Sequence, residues 1–190
     1  MKLCIVFFSV VVALAPAAGA SQIHFDELGT SSSISANGIH VAGVLFQFSG
    51  GSAQYNGAIG SQGTTALVSD PLLVGDTSGI LTLTFATPTP ILTFDIAMES
   101  CETVPGAYTV TIPGSAQLVE QTSPIVLFSE SEFVYSGSAP VSSAVITFSS
   151  AAPAFGLDNL TFDSSPEPGT ALLLGCAFLG LAALTKRRKP

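Results

Sequence analysis

The chain has 190 residues, enough for one ordinary domain with processed ends, and a formal net charge of −8. All 13 acidic residues lie between Ser21 and Pro168, a stretch with no Lys or Arg, so that stretch alone carries −13 (13 acidic, 0 basic). It therefore has no basic patch for phosphates and no guanidinium to clamp a carboxylate, which excludes nucleic acid as a partner.

The N-terminus opens with Met1 and Lys2, an apolar run of 13 residues from Leu3 to Ala15, and Pro16 to Ala20. Ala18-Gly19-Ala20 fits the small-x-small pattern cut by signal peptidase, so residues 1–20 read as a signal helix and Ser21 as the mature start. No Cys follows the cleavage point, so lipid attachment there is not expected.

From Ser21 onward the sequence reads as short strands. Candidates are Ile23 to Leu28, Ile39 to Phe48, Thr65 to Val68, Gly79 to Ala86 and Ile91 to Met98. Ala107 to Ile112, Ile125 to Phe128, Phe133 to Tyr135, Ala144 to Phe148 and Phe155 to Phe162 follow. Turn residues separate them, among them Asn37-Gly38, Asn56-Gly57, Thr87-Pro88-Thr89-Pro90 and Pro113-Gly114-Ser115. No sustained 3.6-residue period interrupts this pattern, so residues 21–163 are expected to form one all-β, antiparallel sandwich or barrel. The expected core is Phe46, Phe48, Leu83, Phe85, Phe94, Phe128, Phe133, Phe148, Phe155 and Phe162. Cys101 has no partner within residues 21–163 and is expected to be a buried thiol.

The end of the chain is different in kind. Gly169 to Thr185 holds no charge, and 16 residues from Thr170 at ~1.5 Å each make a helix of about 24 Å, a short membrane span. Pro168 suits its first turn, and Lys186, Arg187, Arg188 and Lys189 form a cytoplasmic stop, leaving residues 21–163 outside.

Pro166-Glu167-Pro168, the apolar helix 170–185 and the basic cluster 186–189, in that order at the C-terminus, resemble the PEP-CTERM sorting domain of Gram-negative bacteria. The resemblance covers residues 164–190. It implies an exosortase-type processing protease that cuts near the triplet, a transient inner-membrane anchor, and release to the cell surface or the extracellular space. It also implies a link to exopolysaccharide or biofilm. The stretches Ile23 to Leu28 and Phe155 to Phe162 resemble the first and last strands of galactose-binding-like jelly rolls. That resemblance implies neighbouring terminal strands and a structural calcium at their ends, with Asp26, Glu27 and Asp158 as ligands and no other cofactor. The alternative is that Asp158 and Asn159 shape a bulge or turn while Asp26 and Glu27 face water.

Other constellations are sparse. His24 and Asp26 would share a strand face and, with His40, could suggest a transition metal. Glu130 and Glu132 would share another, facing solvent. No G-x-S-x-G elbow appears, and only His24 or His40 could serve a hydrolase as base. With no Trp, sugar stacking falls to Tyr55, Tyr108 and Tyr135. Asn159-Leu160-Thr161 fits a glycosylation sequon, which applies only to a eukaryotic route. The reading is therefore an exported, non-enzymatic surface or matrix protein. A secreted carbohydrate-binding module is the alternative, and a secreted hydrolase stands behind both.

Overall fold

Period-two alternation of apolar and polar residues builds the strands, and the backbone of each strand is satisfied by its neighbours. A computed structural model describes residues 20–59, 65–125, 127–135 and 137–163. The first layer contains β1 (Ala20–Ile23), β2 (Ser32–Ile34), β5 (Ala53–Gly57), β6 (Leu72–Asp76), β8 (Leu92–Met98), β11 (Ser129–Val134) and β13 (Ala154–Asp163). The second contains β3 (Ile39–Val41), β4 (Val44–Ser49), β7 (Ile80–Thr89), β9 (Val104–Thr111) and β12 (Val141–Phe148). β10 (Leu118–Pro124) belongs to both, pairing with β9 through Leu118–Thr122 and with β11 through Ser123–Pro124.

All pairings are antiparallel, in the order β2-β5-β6-β13-β8-β11-β10-β9-β12-β7-β4-β3, with β1 added to β13. The expectation of an all-β antiparallel domain holds. The terminal strands are neighbours: Ala20 lies opposite Asp163 and Ile23 opposite Leu160.

The core lies between the layers. Phe46, Phe48, Leu83, Phe85, Phe94, Phe133, Phe155 and Phe162 are buried there, and Phe148, half-buried, stacks on Phe155. Phe128 instead joins a second, smaller cluster on the outer side of the first layer with Ile59, Val68, Leu72 and Ala97. Each enclosed ring buries ~150–250 Å². Two hydroxyl contacts stitch the ends of the layers: Tyr108 to Ser131 at 3.0 Å and Thr122 to Ser129 at 2.7 Å.

Several strands differ from expectation. The first ends at Ile23, because Phe25 turns the chain with φ 64° to bury its ring against Phe46 and Tyr55. His24 and Asp26 therefore lie beyond the strand and share no strand face. Ile39 to Phe48 is two strands folded at Ala42-Gly43, whose φ values of 48° and 85° suit a two-residue hairpin turn. β7 runs on to Thr89, so Thr87 to Thr89 is strand and the turn is only Pro90-Ile91. Thr65 to Val68 is a loop, and of the expected strand Ile125 to Phe128 the described residues Ile125, Leu127 and Phe128 lie outside β10 and β11. Cys101 is exposed in the β8–β9 connection, since that loop lies outside both layers.

Gly38 is required by both conformation and space. It has φ 78°, and a Cβ there would lie 2.6 Å from the Phe46 carbonyl oxygen. Gly38→Ala is expected to cost ~2–3 kcal/mol, read as a lower urea midpoint at unchanged slope. An unchanged midpoint would show that the turn can relax.

Among the described residues no helix is long and apolar enough to cross a membrane. The signal segment with Ala18 lies outside the described residues. So do Pro166, Glu167 and Pro168, the span 170–185 and the Lys186, Arg187, Arg188, Lys189 cluster. Ala20 is the first residue of β1.

Candidate functional site

A bulge in β13 organises the outer face of the first layer. Asp158 lies opposite Asp95, but the next paired residue is Thr161, opposite Thr93, so β13 carries one extra residue. Asn159 takes up the excess with φ 52°, a left-handed conformation that Asn tolerates better than most residues. The Asp158–Asn159 bulge is the alternative the sequence offered for these two residues.

The bulge makes Asn159 a hub. Its Nδ2 donates to the Leu67 carbonyl at 3.0 Å and to Asp95 Oδ2 at 2.9 Å, while its Oδ1 accepts from Gln22 Nε2 at 3.3 Å. Asp158, 2% exposed, accepts from the Asn159 N–H at 2.7 Å and the Ser69 N–H at 3.0 Å. Glu130, 5% exposed, accepts from the Leu67 N–H at 3.1 Å through Oε2, and its Oε1 has no hydrogen-bond partner. Two buried carboxylates and one amide thus clamp the 65–69 loop over the small outer cluster.

Strand register fixes the rest of the face. Asp158, Asp95 and Glu132 form one cross-strand row; Thr161, Thr93 and Val134 form the next, with Gln22 opposite Thr161. Glu132 is exposed and Asp95 is half-buried. Glu130 and Glu132 do share a face of β11, but Glu130 is buried rather than solvent-facing, with the Leu67 N–H of the 65–69 loop bonded to its Oε2.

No Lys or Arg lies in this stretch to offset these charges, and His24 is the one basic side chain that acts on Asp158. Burial pushes the Asp158 carboxyl up, and the Ser69 and Asn159 N–H groups only partly oppose it. Burial likewise raises Glu130 against the N–H groups of residues 66–68. Asp95 is raised by burial and by the nearby Glu132 and Asp158 charges, with the Asn159 amide pulling the other way.

The calcium expectation rested on Asp26, Glu27 and Asp158. Both Glu27 oxygens are engaged, one by the His24 N–H at 2.9 Å and one by the Tyr55 hydroxyl at 2.5 Å. Burial opposes ionisation of Glu27, yet these donors outweigh it and hold the carboxyl below its ordinary value. Asp158 is engaged as described, and Asp26 is exposed beside the turn its carbonyl makes with Gly29. Among the described residues no group of three or more His, Cys, Asp or Glu side chains is placed to hold a metal. His40 sits on β3 in the second layer, whereas His24 follows the end of β1 in the first.

The three tyrosines do not form a sugar platform. Tyr55 is packed against Phe25 and Phe46, Tyr108 is in the core beside Phe94, and Tyr135 is buried with its hydroxyl on Ser115 and the Ala139 carbonyl. Among the described residues the exposed large apolar side chains are Leu, Ile and Val, with no aromatic ring. Gln22, Asp95 and the Leu67–Ser69 loop were missed in the sequence; only Asp95, a lone charge inside the apolar run ILTFDIAM, gave any signal.

No family model and no curated protein matches this chain. Among solved structures it is similar to a family 29 carbohydrate-binding module from Piromyces equi, at 9% identity and TM-score 0.45, over 77% of this chain and 90% of that one. A variant of such a module complexed with mannohexaose matches at 9% identity and TM-score 0.45, over 78% of this chain and 93% of that one. A further variant matches at 11% identity and TM-score 0.44, over 76% and 91%.

Proposed function

We propose that this chain is an exported, non-enzymatic protein of the cell surface or extracellular matrix, sorted by its C-terminal segment and carrying a jelly-roll-like ectodomain. Export and sorting rest on the signal sequence, the Pro166-Glu167-Pro168 triplet, the apolar run and the basic stop, in that order. In this reading signal peptidase and an exosortase-type protease process the two ends. The non-enzymatic role is supported by where the reactive groups sit. His24 follows β1 and His40 lies on β3 of the other layer, and Asp158 and one Glu130 oxygen are engaged by backbone N–H groups.

The observation that carries the role of the ectodomain is the Gln22–Asn159–Asp95 chain beside Glu132. It is a fixed set of amide and carboxylate groups on one sheet face, suited to the hydroxyl groups of a matrix polysaccharide. Without exposed aromatic rings among the described residues such contact is polar and weak, in keeping with a matrix component that makes many contacts at once. A second reading, a carbohydrate-binding module that recognises one sugar, uses the same face. Affinity electrophoresis of residues 21–163 through exopolysaccharide, mannan and cellulose gels separates them. Slight retardation in acidic or neutral exopolysaccharide, lost in Glu132→Ala, is expected. Saturable binding to a single oligosaccharide such as mannohexaose favours the second reading, and no retardation in any gel would remove both.

A further inference from the structure

Residues 65–68 form a small turn bonded to itself. The Thr65 N–H donates to the Val68 carbonyl at 2.8 Å, and the Val68 N–H donates to Thr65 Oγ1 at 3.2 Å. Both bonds stay within the turn, so it moves as one piece without losing them. Its hold on the sheet is narrow. Of residues 65–70 only Val68 is buried, in the outer cluster with Ile59, Leu72, Ala97 and Phe128. Its polar ties include the Leu67 N–H on Glu130 Oε2 at 3.1 Å and the Ser69 N–H on Asp158 Oδ2 at 3.0 Å. Asn159 Nδ2 holds the Leu67 carbonyl at 3.0 Å.

Glu130 is the weak point of this hold. It is buried, and its Oε1 has no hydrogen-bond partner among the described residues. A buried oxygen left bare costs far more when charged than when neutral. Burial therefore holds the carboxyl above its ordinary value against the N–H groups of residues 66–68, and the Asp95 charge adds to the rise. Among the described residues, the titratable groups on the elements packed around it are Asp95 on β8, Asp158 on β13, Glu132 on β11 and Asp70 on the connection itself. His24, after β1, acts on Asp158.

We propose that the 65–69 turn is a flap latched by the proton of Glu130: it lies on the sheet while Glu130 is neutral and lifts when Glu130 ionises and draws water. Support from a raised group is complete below the ordinary glutamate value, about 4.3, and is lost as pH rises through the raised one. The flap thus closes in mild acid and loosens toward neutrality. When it lifts, Asn159 Nδ2 is released from Leu67, and the departure of Val68 partly uncovers Leu72, Ala97 and Phe128. The outer face of the first layer then differs with acidity, whether or not that face binds sugar.

Amide exchange on the full chain tests the latch. Corrected for the intrinsic rate, protection of the Leu67 and Ser69 amides is expected to fall several-fold between about pH 5 and about pH 7.5. Dilute urea should leave that exchange unchanged, because a local lift exposes little surface. Glu130→Gln, neutral throughout, should remove most of the fall, whatever its absolute protection. Leu67→Trp gives a second readout in a chain that has no Trp: its emission should move to longer wavelength over the same range. Wild-type protection that does not change with pH, or that falls equally in Glu130→Gln, overturns the latch. Protection lost only together with the core strands overturns the flap, since the turn then opens with the whole domain. A Leu67→Trp emission fixed across the range does so too, even where Glu130→Gln fails to fold.

Discussion

Asn159→Ala is expected to lower the melting temperature by about 5–10 °C. The substitution removes three side-chain hydrogen bonds, each worth ~0.5–1.5 kcal/mol, and leaves alanine in a left-handed conformation costing ~1 kcal/mol. A net ~2–3 kcal/mol corresponds to that shift for a domain of this size. Companion variants separate the contributions. Asn159→Gly loses the same bonds but relaxes the backbone, so it should lie between wild type and alanine. Asn159→Asp keeps a side chain that accepts the left-handed turn, yet sets a carboxylate against Asp95 and Asp158. It should be the worst of the three at pH 7 and recover in mild acid. If Asn159→Ala melts within about a degree of wild type, the loop is held by Glu130 and Asp158 without the amide.

The second large effect is on pH. Burial raises Asp158, Glu130, Asp95 and Asp70 above their ordinary values. For a raised group the folded state binds the proton more tightly. Its contribution is complete below the unfolded value and is lost as pH rises through the folded value. Glu27 and Asp76 are lowered, Glu27 by Tyr55 and His24 donors against burial and Asp76 by Ser52. Their contributions are present above the unfolded value and fade only in stronger acid. The melting temperature should therefore rise as pH falls from about 7 toward about 5, then decline in stronger acid. Relief of self-repulsion in a domain without Lys or Arg adds to the rise. Calorimetry across this range checks it, and a steady fall from pH 7 downward would contradict it. Asp158→Asn and Glu130→Gln, which keep an acceptor and drop the charge, should each flatten the acid-side rise.

The strands legible in the sequence are those whose apolar residues alternate against one core. β7 and β8 place Leu, Ile and Phe at every second position, β12 and β13 do so on either side of a bulge, and all four were found within a few residues. β6 escaped because Leu72 faces the outer cluster while Leu73 faces the main core, which erases the alternation. β2, β5 and β10 escaped because they are short or polar. β10 buries only Thr122, and its strand character comes from the neighbours it joins. The site was half legible for a similar reason. Asp158-Asn159 is a local bulge signal, but Gln22 and Leu67 meet Asn159 across 137 and 92 residues, a matter of register that no local pattern encodes.

Membership of β10 in both layers has a consequence for access. Many two-sheet domains can part along either open side, with the sheets swinging like book covers. Here one side is sewn shut by a strand that would have to lose its bonds to β9 or β11 first. Opening is left to the opposite margin, where β2 and β3 end the order without pairing to each other. A guest therefore cannot slip between the layers from the β10 side without breaking that strand's ladders.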